Sequence, residues 1–390
     1  MKILIVSAMF PPIRTGTSFY VQNMASALKK RNNQITVVTV ENEDARKENN
    51  PFPVIRLPAF HFPLKNFFKH LRFSSVYLRN FKKMNAVMAE MKPDVVLLVN
   101  HYLDIAFPVL YATKRQGIPL VISVGTQITS ISPLKEMVLN FFDWLICGNV
   151  VFRFCDKIIS WDREIHKYIQ NIHSDEIVKK SCIVPFGPNG DESAFEKADH
   201  DYSRNNQIIA VGSVIEQRNN IFLIHLFKRL SEIFPNLILK IVGHVYYQEA
   251  VQLTKQLHLE EKVVFTGELP HEKVLEEVSK SAFYWVALSG KYIGLGTASL
   301  EAMLMGVPVV SNVYEDLLGK PILKDMDNYV YADGVSIEPA VTKLTFLLRD
   351  QKLREKIGKN GRRVVKENMN WGLVAEAMED VFSRGLNEKG

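Results

Sequence analysis

Short, unbroken runs of Ile, Leu and Val recur along the chain and constrain its fold more than any other feature. The first run, Lys2 to Ser7, is followed by a turn, a segment of helical period from Tyr20 to Leu28, and a second run from Gln34 to Val40. A strand without alternating polar residues is buried on both faces, which is typical of a parallel sheet covered by helices. The pattern therefore predicts a β-α-β unit that opens an α/β domain.

Further runs of this kind form two series, separated by an irregular polar stretch. Strands are predicted at Asp94–Val99, Leu120–Val124, Lys157–Ser160, Ile208–Val211, Leu237–Val242, Val263–Phe265, Tyr284–Ala287 and Val307–Ser311. Between the series, Gly187 to Asp191 and Lys197 to Gln207 break the periodicity, as a domain boundary does. We predict two doubly wound, Rossmann-like domains, residues 1–195 and 196–370, with a final helix in 371–390 that could return to the first domain. Ligands bind outside the carboxyl ends of such strands, so a central cleft between facing domains is the expected site.

Composition narrows the class of protein further. The apolar pattern starts at Lys2 without the features of a signal peptide, so we expect a cytosolic protein. The three cysteines form no CxxC pair and are expected to be buried thiols: Cys147, Cys155 and Cys182. The most apolar later region, Met137 to Cys155, contains too many polar residues to span a bilayer and is predicted to be a core helix. The net charge of +6 is mild, so the position of the cations matters more than their number.

A glycine-rich turn before a predicted helix is the strongest chemical signal. Gly294 and Gly296 directly precede the helical segment Ala298 to Met305. The free N–H groups and positive dipole end of such a helix suit an anion such as a diphosphate. Glu301 lies about one turn into the helix, where a carboxylate can accept hydrogen bonds from the two ribose hydroxyls of a nucleotide. From spacing alone, a simple tight turn explains the same residues equally well.

The stretch from Ile293 to Val310 resembles the long signature Glu-Gly-Phe-Gly-x-x-x-Leu-Glu-Ala-Met-x-x-Gly-x-Pro-Val-Val of retaining glycosyltransferase family 4. Other segments resemble family motifs in the family's order: Phe10 to Thr17, Pro93 and Asp94, Val184 to Asn189, Val211 to Arg218, Ile241 to Gly243 and Phe265 to Gly267. The resemblance implies a GT-B fold and a nucleotide-diphosphate sugar, UDP- or GDP-linked, as the donor. It also implies transfer with retention and no obligatory metal or other cofactor.

The resemblance also implies roles for individual residues. Arg218 occupies the family's Lys position and would clamp the diphosphate, and Ser213 stands where the family usually has Arg. Arg218, Glu301 and Thr126 are assigned to catalysis. Donor binding is assigned to Gly16, Thr17, Gly212, Ser213, Arg218, Gly267, Leu269, Gly296, Thr297 and Glu301.

Two departures from the family pattern bear on activity. Ile293 stands where the family has the glutamate that contacts the transferred sugar, and Val124 stands where it has a histidine near the reacting carbon. Substitutes on the sugar or acceptor side are predicted to be Asn100, His101 and Gln127, together with Thr126. The alternative is a catalytically inactive relative of the same fold that acts as a binding or partner subunit.

A basic and aromatic segment suggests where an acceptor is met. No Asp or Glu occurs between Asn49 and Ala89, while seven cations alternate with aromatic residues there. Such a segment suits an anionic membrane surface, and we assign docking to Lys65, Phe67, Phe68, Lys69 and Arg72. We therefore expect a peripheral protein at the inner membrane face, with a lipid-linked saccharide or glycolipid as acceptor. A nucleic-acid partner is disfavoured because no reader motif accompanies the cations.

A possible metal motif is set aside. Asp325 and Asp327 form an Asp-x-Asp pattern that binds divalent ions in a different glycosyltransferase fold. Here the pair lies in a polar, turn-like Lys-Asp-Met-Asp-Asn segment, so no metal site is predicted.

Overall fold

The computed structural model describes residues 1–13, 15–41, 50–61, 72–130, 132–189, 195, 200–204, 206–289 and 293–387. The chain divides into two compact units, Met1–Phe186 with Trp371–Gly390, and Gly187–Asn370. We call them unit 1 and unit 2. The division falls directly before Gly187, at the start of the predicted break rather than after residue 195, and the last helix belongs to unit 1.

Unit 1 contains a parallel sheet of seven strands. They are β1 (Lys2–Val6), β2 (Gln34–Val40), β3 (Val54–Leu57), β6 (Val95–Val99), β7 (Leu120–Val124), β8 (Lys157–Ser160) and β9 (Ser181–Ile183), in the order β3-β2-β1-β6-β7-β8-β9. A separate antiparallel pair consists of β4 (Phe60–His61) and β5 (Arg72–Phe73). The helices are α1 (Gly16–Lys30), α2 (Leu78–Met91), α3 (Ala106–Gln116), α4 (Pro133–Phe142), α5 (Arg163–Ile172) and α6 (Asp175–Val178), with a π-helix at Asp143–Phe152.

Unit 2 contains a parallel sheet of six strands. They are β10 (Gln207–Val211), β11 (Ile238–Val242), β12 (Val263–Gly267), β13 (Phe283–Trp285), β14 (Val309–Ser311) and β15 (Val330–Tyr331), in the order β12-β11-β10-β13-β14-β15. Its helices are α7 (Asn220–Ile233), α8 (Gln248–Gln256), α9 (His271–Ser279), α10 (Gly296–Leu304), α11 (Ile337–Arg349) and α12 (Gln351–Asn368), with a 3₁₀ turn at Glu216–Arg218. The chain then returns to unit 1 as α13 (Trp371–Asn387).

Two parallel sheets with covering helices confirm the predicted α/β class. The strands are apolar because both faces are covered: every residue of β6 and of β7 is buried. In both sheets the strand order reverses next to the first strand, between β1 and β6 and between β10 and β13. Such reversal points are where open α/β sheets bind their ligands, at the carboxyl ends of the strands.

The prediction of a core helix at Met137 to Cys155 is wrong for the first half of the segment and confirmed for the second, where Cys147, Val151, Phe152 and Cys155 are buried in the core of unit 1. The segment is α4 followed without a break by the π-helix, and no residue of α4 is buried. Large apolar side chains, among them Met137, Phe141 and Trp144, are exposed there. An amphipathic stripe normally faces the core, and this one faces away from it. No helix in the described ranges has the length and apolar character needed to cross a membrane.

Candidate functional site in the second unit

Three glycines with positive φ lie at the ends of neighbouring strands in unit 2. Gly212 (φ 133°) follows β10, Gly243 (φ 144°) follows β11, and Gly267 (φ 71°) ends β12. L-residues rarely adopt these backbone angles. At Gly243 an added Cβ would also lie 2.3 Å from the carbonyl oxygen of Gly212. The sequence therefore needs glycine where these backbones approach each other, directly beside the reversal point of the sheet.

Arg218 lies over the first of these glycines. Its guanidinium carbon is 2.7 Å from the point where a Cβ of Gly212 would stand, so the glycine makes room for the side chain. Arg218 ends the 3₁₀ turn, which Ser289 holds through a hydrogen bond from its N–H to the Gln217 carbonyl (3.0 Å). Within the described ranges Arg218 forms no ion pair or hydrogen bond through its half-buried side chain. Its charge is therefore available to an anion.

The helix α10 begins with the predicted glycine. Gly296 has a φ of 71° and an added Cβ would meet nothing within 4 Å. Leu295 precedes the helix and offers no capping side chain, and the first turn contains no acidic residue. The first N–H groups of a helix lack intrahelical partners and carry its positive dipole end. Gly296 is exposed and Thr297 half-buried, so this helix end can accept an anion from solvent.

Glu301 is buried one turn further along α10, with 4% of its surface exposed. Its Oε2 atom lies 3.1 Å from Nε2 of His271, the first residue of α9. This histidine was missed in the sequence, although it follows the predicted Gly267–Leu269 loop closely and is titratable. The hydrogen bond to Glu301 raises the pKa of His271 above its ordinary value, while partial burial opposes the rise.

Tyr284 of β13 shows that the predicted groups converge. Its hydroxyl donates a hydrogen bond to the carbonyl of Val211 (3.3 Å), at the end of β10, and contacts Ser299 of α10. Burial raises the pKa of Tyr284 to about 12, and the charges of Arg218 and Glu301 both act on it, in opposite directions. Arg218 and Glu301 therefore lie at the same end of the sheet, around one buried phenol.

We expect the His271 imidazole to titrate above its ordinary pKa of 6.5 in the folded chain. The pairing with Glu301 favours the protonated imidazolium form of His271. The stability that the pair contributes is therefore fully present below pH 6.5, and it is lost as the pH rises through the pKa of His271 in the folded chain. An NMR titration of the ring Cε1–H checks this. In a Glu301→Gln variant the midpoint should fall, because the carboxylate is gone. An unchanged midpoint in that variant would assign the shift to another cause.

Predicted residues of unit 1 lie at the reversal point of its own sheet. Gly16 and Thr17 begin α1 after β1, and Asn100 (φ 66°) follows β6. The Asn100 amide donates to Thr17 Oγ1 (3.1 Å) and its oxygen accepts from the Gly125 N–H (3.3 Å). An added Cβ at Gly16 would meet nothing within 4 Å, which leaves open space at this helix end. Asn100 is fully buried and holds three loop ends together.

The loop after β7 carries two other predicted residues. Thr126 is exposed and bonds the hydroxyl of Tyr102, while the Gln127 amide donates to the Glu164 carbonyl (3.3 Å). The glycine before them packs flat on an indole: a Cβ at Gly125 would lie 2.3 Å from the Trp161 ring. Thr126 and Gln127 therefore stand near the carboxyl ends of β6 and β7.

His101 lies inside unit 1, so its predicted contact with a sugar or acceptor finds no support in its surroundings. The ring is 1% exposed, stacks on Phe152 (4.8 Å between centroids), and places Nε2 3.4 Å from Oδ1 of Asp143. Burial lowers the pKa of His101, although Asp143 opposes this. A polar residue after a strand end looks solvent-facing in sequence, and here the π-helix covers it.

Asp143 is the centre of this buried cluster. Tyr168 donates a hydrogen bond to it, and His173 Nε2 lies 3.5 Å from Oδ2. Burial raises the pKa of Asp143, but these partners and His101 outweigh burial and hold it below its usual range. Possible metal ligand atoms of His101, Asp143 and Cys147 lie within 4.8 Å of one another. Burial raises the pKa of Cys147, and the Asp143 carboxylate accepts a hydrogen bond from Tyr168 within this buried network.

Other sequence assignments have these outcomes. Ser213 is exposed after Gly212, and Leu269 is half-buried before α9. Val124 is a buried residue at the end of β7, and Ile293 is half-buried before α10. Asp325 and Asp327 pair with Lys343 (2.8 Å) and Lys356 (2.9 Å).

One of the membrane assignments and one cavity lie in the described part of unit 1. Of the residues assigned to membrane docking, only Arg72 is in the described part of the chain, in β5 opposite His61. Lys65, Phe67, Phe68 and Lys69 lie outside it. A cavity of about 620 Å³ in unit 1 is lined by Lys2, Gln34 and Pro53 at the amino ends of its strands, away from the site.

Two family models match the chain, one in each unit. The Glycosyltransferase Family 4 model matches residues 14–185, and the Glycosyl transferases group 1 model matches residues 192–364. The second match contains the glycine strand ends, Arg218, the α10 start and Glu301. The first contains Gly16, Thr17, Asn100 and the loop after β7.

Related proteins and structures agree with the two models. An uncharacterized glycosyltransferase of Methanocaldococcus jannaschii is 23% identical, with 99% of each chain aligned. The capsular polysaccharide biosynthesis glycosyltransferase CapM of Staphylococcus aureus is 20% identical over 93% of this chain and 92% of its own. HepE of Anabaena, solved with UDP and glucose, has a TM-score of 0.74 at 16% identity and aligns over 98% of this chain and 99% of that one. That likeness shows a shared fold.

Proposed function

Because the chain belongs to the GT-B glycosyltransferases, we propose that it moves a sugar from a UDP- or GDP-linked donor to a lipid-linked saccharide or glycolipid, with retention at the anomeric carbon. The observation that carries the donor side is the convergence of Arg218, the start of α10 and Glu301 around Tyr284. In this proposal the Arg218 cation and the dipole of α10 bind the diphosphate together. The buried Glu301 carboxylate accepts hydrogen bonds from the ribose hydroxyls in this proposal.

The residues of unit 2 supply what the departure of the nucleotide requires. When the bond between the anomeric carbon and the phosphate oxygen breaks, the electron pair stays on that oxygen and negative charge grows on the diphosphate. In this proposal the Arg218 guanidinium and the N–H groups at the start of α10 bind this charge and stabilise the transition state without reorganisation. In this proposal Arg218 and the Gly296–Thr297 amides take the part that a metal ion plays elsewhere, so no cofactor is required.

Retention and the acceptor side depend on other residues. Val124 and Ile293 provide neither imidazole nor carboxylate, so in this proposal the leaving phosphate oxygen takes the proton of the acceptor hydroxyl. Thr126 and Gln127 would orient the saccharide. The relationship to a capsular polysaccharide glycosyltransferase supports a cell-envelope acceptor at the cytoplasmic membrane face.

The deciding experiment is a calorimetric titration of the whole chain with UDP, GDP and ADP, followed by transfer assays with glucose conjugates of the base that binds. We expect one diphosphate to bind with micromolar affinity, about −8 kcal/mol, and the anomeric configuration of the product, read by NMR, to match the donor. Absence of binding to all three nucleotides would overturn the proposal and favour a non-enzymatic partner subunit. An inverted product would overturn retention alone.

A further inference from the structure

The outward face of α4 and the start of the π-helix is apolar over three helical turns. Its residues are spaced by three and four positions and are between 41% and 69% exposed: Leu134, Met137, Val138, Phe141, Phe142 and Leu145. This is the spacing of a helix that buries one side. Within the described ranges these side chains are the largest run of exposed apolar residues on one helix, and a patch of this kind marks an interaction surface.

An apolar groove lies at the other end of the same π-helix. It has a volume of about 470 Å³ and lies between α2, α3 and the π-helix, with Phe81, Phe107 and Leu110 in its lining. Val150 and Phe154 belong to the groove and are themselves exposed. The helix face and the groove both include residues of the π-helix, Leu145 in the face and Val150 in the groove, and together we call them the α4 surface. A flexible hydrocarbon chain fits a groove of this size and lining.

The helices that contribute to the α4 surface carry an excess of cations. Seven Lys and Arg residues and three Asp and Glu residues occur in α2, in α3 and in the segment from the start of α4 to Arg153. One of the three acidic residues, Asp143, is buried. Lys114 stands with its Nζ 3.9 Å above the ring of Phe154, at the groove edge. Apolar side chains flanked by cations are the composition of an interfacial surface that meets anionic lipid headgroups.

We propose that the α4 surface inserts into the headgroup boundary of an anionic lipid bilayer, with the groove taking up a lipid hydrocarbon chain. The inference rests on the proposed function, since it names the surface through which a membrane-bound acceptor is approached. A second copy of this chain is the less favourable occupant. A twofold contact through the same patch would place the cations of one copy against those of the other.

Flotation of the full chain with lipid vesicles tests this. We expect it to float with vesicles of phosphatidylcholine containing about 30% phosphatidylglycerol and to stay behind with phosphatidylcholine alone, because cations contribute near an anionic surface. A Phe141→Ser, Phe142→Ser double variant should weaken binding by about 100-fold, since each ring loses its transfer into the apolar layer. Brominated lipids should quench the fluorescence of Trp144, which is 48% exposed at the edge of the face. This quenching should be absent in the Trp144→Phe variant.

A matched control comes from unit 2, where Val335 and Phe346 are exposed by 80% and 61%. The Val335→Ser, Phe346→Ser variant should bind vesicles as the parent chain does. Equal loss of vesicle binding in both double variants would overturn the inference, and so would vesicle binding that does not depend on anionic lipid. A parent chain that sediments as a dimer, and that becomes monomeric only in the Phe141→Ser, Phe142→Ser variant, would also overturn it. If vesicle binding fails while UDP or GDP still binds, this inference fails and the proposed transferase stands. If vesicles bind and nucleotides do not, the proposed function fails.

Discussion

Replacing Arg218 by Gln should lower kcat/KM for sugar transfer by about 100- to 1,000-fold, the usual loss when one pre-aligned charge-stabilising group is removed. The guanidinium lies against Gly212 and makes no ion pair or hydrogen bond within the described ranges. Its charge is therefore not committed to the fold. The free energy of unfolding should change by less than about 0.5 kcal/mol, as for a surface substitution.

Lysine and a distant arginine provide the controls for this prediction. Arg218→Lys keeps the charge but not the two-pronged donor geometry, so it should recover part of the lost activity. Arg229→Gln removes an exposed arginine of α7 that pairs with Glu338 (3.3 Å) and should leave transfer unchanged. Calorimetry should show weaker nucleotide diphosphate binding by Arg218→Gln. Full activity and affinity in that variant would remove Arg218 from the donor site.

Replacing Gly358 by Ala should destabilise unit 2 by about 3 kcal/mol, the range for overpacking a rigid contact. Gly358 lies inside α12, where alanine would ordinarily stabilise a helix by roughly 0.5–1 kcal/mol. Here the added Cβ would stand 1.9 Å from the backbone carbonyl oxygen of Gly306. Backbone cannot move aside as a flexible side chain can, so the steric cost exceeds the gain in helix propensity.

The control is the same substitution in a helix with space around it. At Gly385 in α13 the nearest atom to an added Cβ is Lys157 Cγ at 3.7 Å, an ordinary contact. Gly385→Ala should leave stability unchanged or raise it slightly. The measurement is calorimetric melting, with the transition of each unit followed separately because a two-unit chain need not unfold in one step. Equal melting curves for the two variants would contradict this prediction, because α12 would then move away from the Gly306 carbonyl without a loss of stability.

The sequence predicted the central strands well because their residues are buried on both faces. Val95–Val99 and Leu120–Val124 carry an unbroken apolar run for this reason. The outer strands β3, β9 and β15 and the β4–β5 pair were not predicted, since they are two to four residues long and partly polar. High apolar content also predicted that the α4 segment lies in the core. Apolar content does not report which neighbour, if any, covers a helix.

The candidate site was predictable where it depends on backbone. A positive φ favours glycine, and this preference is visible in the sequence at Gly212, Gly267 and Gly296. Contacts between side chains that are distant in the sequence could not be predicted in this way. The pairing of His271 with Glu301 joins residues from two helices, and the burial of His101 depends on the π-helix that covers it. The periodicity of the sequence predicts neither the His271–Glu301 contact nor the burial of His101.

The return of α13 to unit 1 has a consequence for synthesis on the ribosome. Met378 and Phe382 of this helix are fully buried, Trp371 lies 5.7 Å from the ring of Tyr20, and Arg31 pairs with Glu379 at 2.7 Å. The first unit to be translated thus waits for the last 17-residue helix before one side of α1 is covered. Unit 2 is translated in between and can complete its own fold earlier, which reverses the usual order in which the amino-terminal domain matures first.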